Sequence, residues 1–217
     1  MLRVVLAATA ALMISTGASA QIVNGGFEAP TVPGSCCVTV APSPLPGWTV
    51  NAGNVNVVNG TFGSSSGNLA FEGTQYLDLV GEGTVGSLSQ SFATVAGQVY
   101  TLSFAFAHNL FAGTQSASAS YSLGSLNGVV THSTGSTSNL GWQLFSGNFT
   151  AVGSTSSLTF TNLTGGTNAG VLLDAVSVQA PVPEPATWAQ MLFGFGLVGF
   201  ATRLSRRRRQ NNLPAAV

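Results

Sequence analysis

A ten-residue stretch near the middle of the chain decides the fold, and it reads Val99-Tyr100-Thr101-Leu102-Ser103-Phe104-Ala105-Phe106-Ala107-His108. Large apolar side chains occupy every second position, with small or polar side chains between them. Because successive side chains of a β-strand point to opposite faces, this alternation predicts a strand with one buried side.

Similar stretches lie on both sides of it, separated by clusters of Gly, Asn, Ser or Pro. We predict further strands over residues 54–58, 75–80, 87–92, 117–123, 129–133, 142–150, 157–161 and 171–179. Residues 21–180 show no sustained helical period. Short strands with turn signals between them predict one all-β domain over residues 21–180, a sandwich or jelly roll.

Charge is segregated along a chain whose formal net charge is zero. The chain has no lysine, and residues 21–180 contain no arginine. The acids of that segment are Glu28, Glu72, Asp78, Glu82 and Asp174. Without basic side chains the segment cannot neutralise phosphates, which excludes a nucleic-acid partner and argues against nucleotide cofactors held by cationic side chains.

The first 20 residues have the pattern of a secretory signal peptide. Arg3 precedes an apolar run from Val4 to Ile14, and Ala18-Ser19-Ala20 precedes Gln21. Ala18 and Ala20 are small residues at the third and first positions before the expected cleavage site. They predict cleavage between Ala20 and Gln21, and therefore export.

Residues 181–217 carry a second targeting pattern. Pro183-Glu184-Pro185 is followed by an uncharged stretch at 186–202 and by a basic tail at 203–209. As a helix the uncharged stretch would span about 26 Å, enough for the hydrocarbon core of a bilayer. We therefore predict a transmembrane helix at about 186–202, with the basic tail in the cytoplasm and residues 21–180 outside.

The opening Pro183-Glu184-Pro185-Ala186-Thr187-Trp188-Ala189, the apolar helix and the arginine run together resemble the PEP-CTERM sorting signal. The resemblance implies an exosortase as partner, a membrane-embedded transpeptidase-like enzyme that cuts near the Pro-Glu-Pro. It further implies an inner-membrane-anchored precursor in a Gram-negative bacterium that makes exopolysaccharide. The mature protein would then lie on the cell surface or outside the cell.

A second set of motifs runs through residues 21–180: Asn24-Gly25-Gly26-Phe27-Glu28, Leu45-Pro46-Gly47-Trp48, Gln75-Tyr76-Leu77-Asp78-Leu79, residues 89–100 and Leu173-Asp174-Ala175-Val176-Ser177-Val178. In this order they resemble the choice-of-anchor C bacterial surface domain and related plant cell-wall proteins. The resemblance implies a galactose-binding-like jelly roll, a fold that includes several carbohydrate-binding modules.

Glu28 and Asp174 are the candidate ligands of a structural calcium ion. They lie near the first and last strands, which are adjacent in jelly rolls, and carboxylate oxygens suit Ca²⁺. The resemblance to carbohydrate-binding modules implies the same two acids. The alternative is an exposed Glu and an Asp in a turn.

Aromatic side chains that stack on sugar rings are the expected signal of a glycan site. The candidates are Trp48, Tyr76, Tyr121 and Trp142. Core packing is the alternative for each of them.

Cys36 and Cys37 are the only cysteines and are adjacent. In an oxidising compartment they would form a disulfide with each other, cross-link to another molecule or bind a soft metal weakly. The sequence leaves these three alternatives open.

Motifs for catalysis are weak. The GxGxxG at 81–86 and the GxSxG at 63–67 lie among strands and turns and lack the helix that each motif requires. His108 and His132 have no metal-ligand spacing. We therefore expect a non-enzymatic surface or matrix protein that binds exopolysaccharide or another glycan. An adhesive matrix protein with a protein partner is the alternative, and a secreted hydrolase is a weaker one.

Overall fold

The computed structural model describes residues 22–34, 36–40, 44–83, 85–111, 113–180 and 185–210. The predicted signal peptide, its cleavage site at Ala20 and Gln21, and the residues Pro183 and Glu184 lie outside the described residues. The chain divides into two units, residues 1–180 and 181–217.

The strands of the first unit form two antiparallel sheets. They are β1 (Cys37–Val40), β2 (Thr49–Ala52), β3 (Val55–Asn59), β4 (Gln75–Asp78), β5 (Ser87–Ala93), β6 (Val99–His108), β7 (Ala117–Leu123), β8 (Leu126–His132), β9 (Gln143–Thr150), β10 (Thr155–Thr164) and β11 (Val171–Gln179). The order is β1-β3-β4-β11-β6-β9 in the six-stranded sheet and β2-β5-β10-β7-β8 in the five-stranded sheet. This architecture confirms the predicted all-β sandwich.

The path of the chain is that of a jelly roll. Among the described strands, only β3–β4 and β7–β8 are successive strands that pair within one sheet. All other successive strands lie in opposite sheets. The closing strand β11 pairs with β4 and β6 at the middle of the six-stranded sheet.

The predicted strands all occur, and β6 has the predicted bounds. Two short strands, β1 and β2, were not predicted, because their four residues each are too few to show a period. Strand β10 extends beyond the predicted 157–161 at both ends. The buried position in the added part is Asn162, while the one apolar residue there, Leu163, is exposed, so the alternation that makes strands recognisable is lost.

The main core lies between the two sheets, and the ring of Phe104 on β6 is at its centre. Ring centroids of Phe145, Phe160 and Tyr121 lie 4.8, 5.0 and 5.8 Å from that of Phe104. Phe104 and Phe160 are fully or almost fully buried. Each such buried aromatic side chain stabilises the fold by about 1.5–3 kcal/mol, so this cluster holds the two sheets together.

A second, smaller cluster covers the outer face of the six-stranded sheet. Tyr76, Leu172 and Ala107 lie on this face, and Leu69 and Leu140 come from loops that fold over it. Trp142 packs against this cluster and is half-buried. The loops on this face carry the candidate site described below.

The outer face of the five-stranded sheet carries hydroxyl and amide groups. Strand register aligns one row across all five strands, made of Thr49, Ser89, Thr159, Ser122 and Asn127. The row contains no charged side chain. Neutral hydroxyl and amide groups therefore make this face polar, although the domain has few charged residues.

The second unit contains the helix α1 (Pro185–Gln210). Apolar side chains from Met191 to Phe200 are exposed along it. Within the described residues, none of the helices combines the length and the apolarity that crossing a membrane requires.

A buried carboxylate, Asp78, joins three segments of the six-stranded sheet. Its Oδ1 accepts hydrogen bonds from the N–H groups of Val80 and Gly170, at 2.9 and 3.0 Å. Its Oδ2 accepts one from the side chain of Asn109 at 2.7 Å. Burial raises the pKa of Asp78 from 3.8 to about 7, although the three hydrogen bonds lower it.

This pKa predicts that the domain loses stability as the pH rises through 7. The folded state keeps a proton that the unfolded state releases near pH 3.8, so ionisation of Asp78 favours unfolding. Burial lowers the pKa of His108 below 6.5. Protonation of His108 therefore destabilises the fold only at more acidic pH, outside the range of this prediction. The free energy of unfolding in urea should fall by about 1–2 kcal/mol between pH about 6.5 and about 8.5.

The variant Asp78→Asn cannot ionise at this position and should show a shallower fall over the same range. The remaining fall in stability is due to Asp174, whose pKa is also raised to about 7. A stability that is constant or rises over this range would contradict the prediction.

Candidate functional site

One loop gathers four of the six residues predicted as ligands. It comprises residues 69–75, at the end of the connection from β3 to β4, and is called the clamped loop below. Glu28 and Asp174 bind its backbone, while Trp142 contacts its start and Tyr76 follows it directly.

Asp174 binds the middle of the clamped loop from the interior of the domain. It lies on β11 with no exposed surface. Its Oδ2 accepts hydrogen bonds from the N–H groups of Phe71 and Glu72, at 2.9 and 3.1 Å. Its Oδ1 accepts the N–H of Ala175 at 2.7 Å. Burial, with a smaller contribution from the charge of Glu72, raises the pKa of Asp174 to about 7, although hydrogen bonds from the three N–H groups lower it.

Glu28 holds the other end of the loop from the surface. Its Oε1 accepts hydrogen bonds from the N–H groups of Thr74 and Gln75, at 2.8 and 2.9 Å. Its Oε2 accepts the hydroxyl of Thr74 at 2.7 Å. The two predicted calcium ligands therefore bind four backbone N–H groups of the same loop.

Backbone geometry that is rare for non-glycine residues brings these two acids to the loop. Asn24, Phe27 and Ala175 have φ angles of 55, 54 and 50°. The N–H of Val176 donates to the carbonyl of Gly25 at 3.0 Å, which ties the first turn to the irregular part of β11. Left-handed non-glycine residues cost free energy and tend to cluster at functional sites.

Glycine is required at one point of the clamped loop. Gly73 has a φ of 61°, and a Cβ built there would collide with the carboxylate of Glu28. The close approach of the backbone to Glu28 therefore depends on this glycine.

Two aromatic residues meet at the clamped loop: Phe71, which belongs to the loop and is exposed, and Trp142, which contacts its start and is half-buried. We call them the ring pair. The side chain of Phe71 is 43% exposed. Its ring meets that of Trp142 edge to face, with centroids 6.3 Å apart. The Nε1–H of Trp142 donates to the carbonyl of Leu69 at 2.8 Å, and its ring packs on Tyr76 at 5.8 Å. Trp142 is thus fixed in place.

Sequence reasoning missed Phe71. The available signal was a large aromatic residue between Ala70 and Glu72-Gly73 in a segment with no strand period. That signal was too weak on its own, since the exposure of a loop residue depends on what covers it.

The other three predicted aromatic ligands are interior residues. Trp48 packs against Phe27, with ring centroids 5.6 Å apart, and its Nε1–H donates to the carbonyl of Asn24 at 3.1 Å. Tyr121 packs against Phe145 at 4.5 Å. Trp48, Tyr121 and Tyr76 are 6, 9 and 1% exposed. All three side chains therefore pack in the interior, and their burial leaves no ring face open to a sugar.

The chemistry of the donor set at Glu28 and Asp174 suits calcium, because carboxylate oxygens are its preferred side-chain ligands. All four of their oxygens, however, accept hydrogen bonds from the clamped loop or from Ala175. Within the part of the chain that the structure describes, no three His, Cys, Asp or Glu side chains form a group suited to a metal ion. Calcium would need backbone carbonyl oxygens besides these two acids.

Cys36 and Cys37 form a disulfide with each other, with Cα atoms 3.7 Å apart. Of the three alternatives that the sequence left open, the structure has the first. The bond lies at the start of β1, where Cys37 pairs with Val58.

The two histidines form a buried pair that joins the two sheets. The Nδ1 atoms of His108 on β6 and His132 on β8 are 2.7 Å apart. Nε2 of His132 lies 2.8 Å from the carbonyl of Gly141. Since a carbonyl only accepts, that nitrogen carries a proton, and Nδ1 of His132 then accepts the proton of His108 Nδ1. The pair thereby holds the residue next to Trp142.

Comparison with known proteins gives two family matches. Residues 20–179 match the family described as "Protein of unknown function (DUF642)". Residues 181–209 match the PEP-CTERM protein-sorting motif. No curated protein matches the chain.

Solved structures with a similar arrangement include carbohydrate-binding modules. TmCBM61, solved with β-1,4-galactotriose, is 20% identical over 74% of this chain and 99% of that chain, with a TM-score of 0.49. The CBM22-1 xylan-binding domain of Paenibacillus barcinonensis Xyn10C is 18% identical over 68% of this chain and 97% of that chain, with a TM-score of 0.40. Likenesses this distant transfer no ligand and no residue role.

Proposed function

The chain belongs to the DUF642 family, whose function is unknown, and from this premise we propose that its exported domain is a non-enzymatic module that binds a glycan at the ring pair. The glycan is exopolysaccharide or another surface polysaccharide. The PEP-CTERM motif supports a place outside the cell, where such polymers occur.

One observation carries the proposal: Phe71, a residue that is 43% exposed, places its ring against Trp142, whose position is fixed by a hydrogen bond and by ring packing. Large, rigid aromatic groups supply contact area at a low entropic cost, and sugars present apolar C–H faces to them. The clamp formed by Glu28 and Asp174 orders the loop before a ligand arrives.

The engagement of the polar groups supports binding rather than catalysis. His108 and His132 bind each other in the interior, and Glu28 and Asp174 bind backbone N–H groups. A hydrolase would need such groups facing a substrate. The alternative of an adhesive matrix protein cross-linked through Cys36 and Cys37 loses support, because the two sulfur atoms are bonded to each other.

Replacement of either ring by alanine should weaken binding to the recognised polysaccharide about fivefold, since stacking contributes on the order of 1 kcal/mol. Affinity electrophoresis against a panel of polysaccharides measures this change. Phe71→Tyr keeps a ring face and should retain binding.

Val129→Ala is the matched control, because Val129 is an exposed apolar residue on the five-stranded sheet, at 58% exposure. Equal retardation of Phe71→Ala, Trp142→Ala and the unmodified protein would refute the ring pair as the site.

We also propose that Glu28 and Asp174 hold a structural calcium ion together with backbone carbonyl groups. Bound calcium would bring these two carboxylates together and favour their ionised forms. A ligand that binds only the folded state raises its stability by mass action.

The clamp and the calcium ion are tested together. Asp174→Ala leaves the N–H groups of Phe71, Glu72 and Ala175 without their acceptor and should lower the free energy of unfolding by about 2–4 kcal/mol. Glu82→Ala, which removes an exposed acid elsewhere, should change it by less than about 0.5 kcal/mol. Excess chelator should lower the melting temperature of the unmodified protein and not that of Asp174→Ala. An unchanged melting temperature of the unmodified protein in excess chelator would refute the calcium ion. The hydrogen-bonded clamp would then be the only role of these two acids.

The two ends of the chain act, in our proposal, as transport signals. Residues 1–20 direct export, and residues 181–209 act as the sorting signal that directs the precursor to the inner membrane. An exosortase then cuts near Pro183–Pro185 and places the mature protein on the cell surface or outside the cell. The match of residues 181–209 to the sorting motif supports this order of events.

Deletion of Pro183, Glu184 and Pro185 should trap the precursor in the inner membrane, because the sorting enzyme then lacks its recognition sequence. Fractionation and immunoblotting of the tagged protein measure the result. Normal release of the deletion variant would count against exosortase processing.

A further inference from the structure

We infer that the ring pair takes an electrically neutral polysaccharide and rejects chains that carry carboxylate, sulfate or phosphate groups. This inference rests on the proposed binding of a glycan at Phe71 and Trp142 and names the class of that glycan.

Every charged side chain near the ring pair is acidic. Glu72 follows Phe71 directly and is exposed, and Glu28 is exposed at the other end of the clamped loop. Asp174 lies buried beneath them and binds the N–H groups of Phe71 and Glu72. Residues 21–180 contain no Lys or Arg. A carboxylate on a bound sugar would therefore meet no basic side chain. The exposed carboxylate of Glu72 adjoins the ring pair whether or not calcium is bound at Glu28 and Asp174, and the binding measurements below are made in excess chelator so that no calcium ion contributes.

Backbone N–H groups, which bind anions in many proteins, are already engaged here. Those of Phe71 and Glu72 donate to Asp174, and those of Thr74 and Gln75 donate to Glu28. The hydroxyl of Thr74 also donates to Glu28. An anionic ligand normally relies on such N–H groups or on Arg and Lys. The clamp thus occupies four backbone donors that a negatively charged ligand would otherwise use.

The groups left for a ligand are acceptors and ring faces. The carboxylate of Glu72 is exposed and accepts no hydrogen bond from the described residues. Sugar hydroxyl groups can donate to this carboxylate, while the ring of Phe71 contacts apolar C–H groups of the sugar. Hydroxyl donors with apolar C–H faces describe a neutral sugar.

The experiment compares each neutral polysaccharide with its own carboxymethyl derivative, so that the polymer backbone is the same and the added groups carry the charge. The dependence of binding on salt separates the effect of this charge from the effect of the added bulk. Hydroxyethyl cellulose, dextran, xylan and galactan serve as the neutral polymers, and alginate serves as a natural polyanion. All measurements use the full chain with Arg203 and Arg206–Arg209 changed to Gln, since that tail would itself bind polyanions.

Affinity electrophoresis at about 10 mM salt should show retardation by at least one neutral polymer and at least tenfold weaker binding to its carboxymethyl derivative. The difference in affinity between the neutral polymer and its carboxymethyl derivative should become smaller at about 500 mM salt, because salt screens exposed charges. Equal or stronger binding to carboxymethyl polymers or alginate would overturn the inference while the glycan site at Phe71 stands. Binding to none of the polymers would overturn both proposals.

Glu72→Gln tests whether the local charge is the cause. It should strengthen binding to the carboxymethyl derivative about two- to fivefold at low salt and leave binding to the neutral polymer unchanged. Glu82→Gln, an exposed acid in the connection between β4 and β5, is the matched control and should change neither. An unchanged difference in Glu72→Gln would overturn the role of this carboxylate.

Discussion

The structure depends on how buried carboxylates are stabilised in a domain that has no Lys or Arg. Asp78 and Asp174 are almost fully buried, and each accepts three N–H hydrogen bonds. A buried carboxylate with no partner would be strongly destabilising, and ion pairs with basic side chains cannot form in this segment. Amide groups therefore take the place of cations, and each acid joins segments that are distant in sequence.

The same constraint shapes the candidate site. Asp174 and Glu28 order a loop that would otherwise be free to move, and the loop presents Phe71 at the surface. Trp142 is fixed by its hydrogen bond to Leu69 at the start of the same loop, by packing on Tyr76 and by the neighbouring histidine pair. The ring pair is therefore preorganised from both sides, which lowers the entropic cost of binding a ligand.

Much of the fold could be predicted because β-strand periodicity is local. The alternation in 99–108 identified β6 without reference to any other part of the chain. The site was predictable only in part. Glu28, Asp174 and Trp142 were identified, yet Asp174 and Glu28 bind loop amides, and the exposed ring of Phe71 was missed. Tyr76 points away from the main core, as its place in the strand requires, but loops cover that face of the sheet.

The sequence alone determined the all-β class, most of the strands, the absence of positive charge from residues 21–180 and the sorting motif at the C-terminus. These properties follow from composition and from patterns over ten or so neighbouring residues. Only the tertiary structure decided which aromatic rings are exposed, which acids are buried and which amide groups they bind. Such contacts join residues as far apart as Phe71 and Asp174, and no local pattern encodes which loop will cover which face.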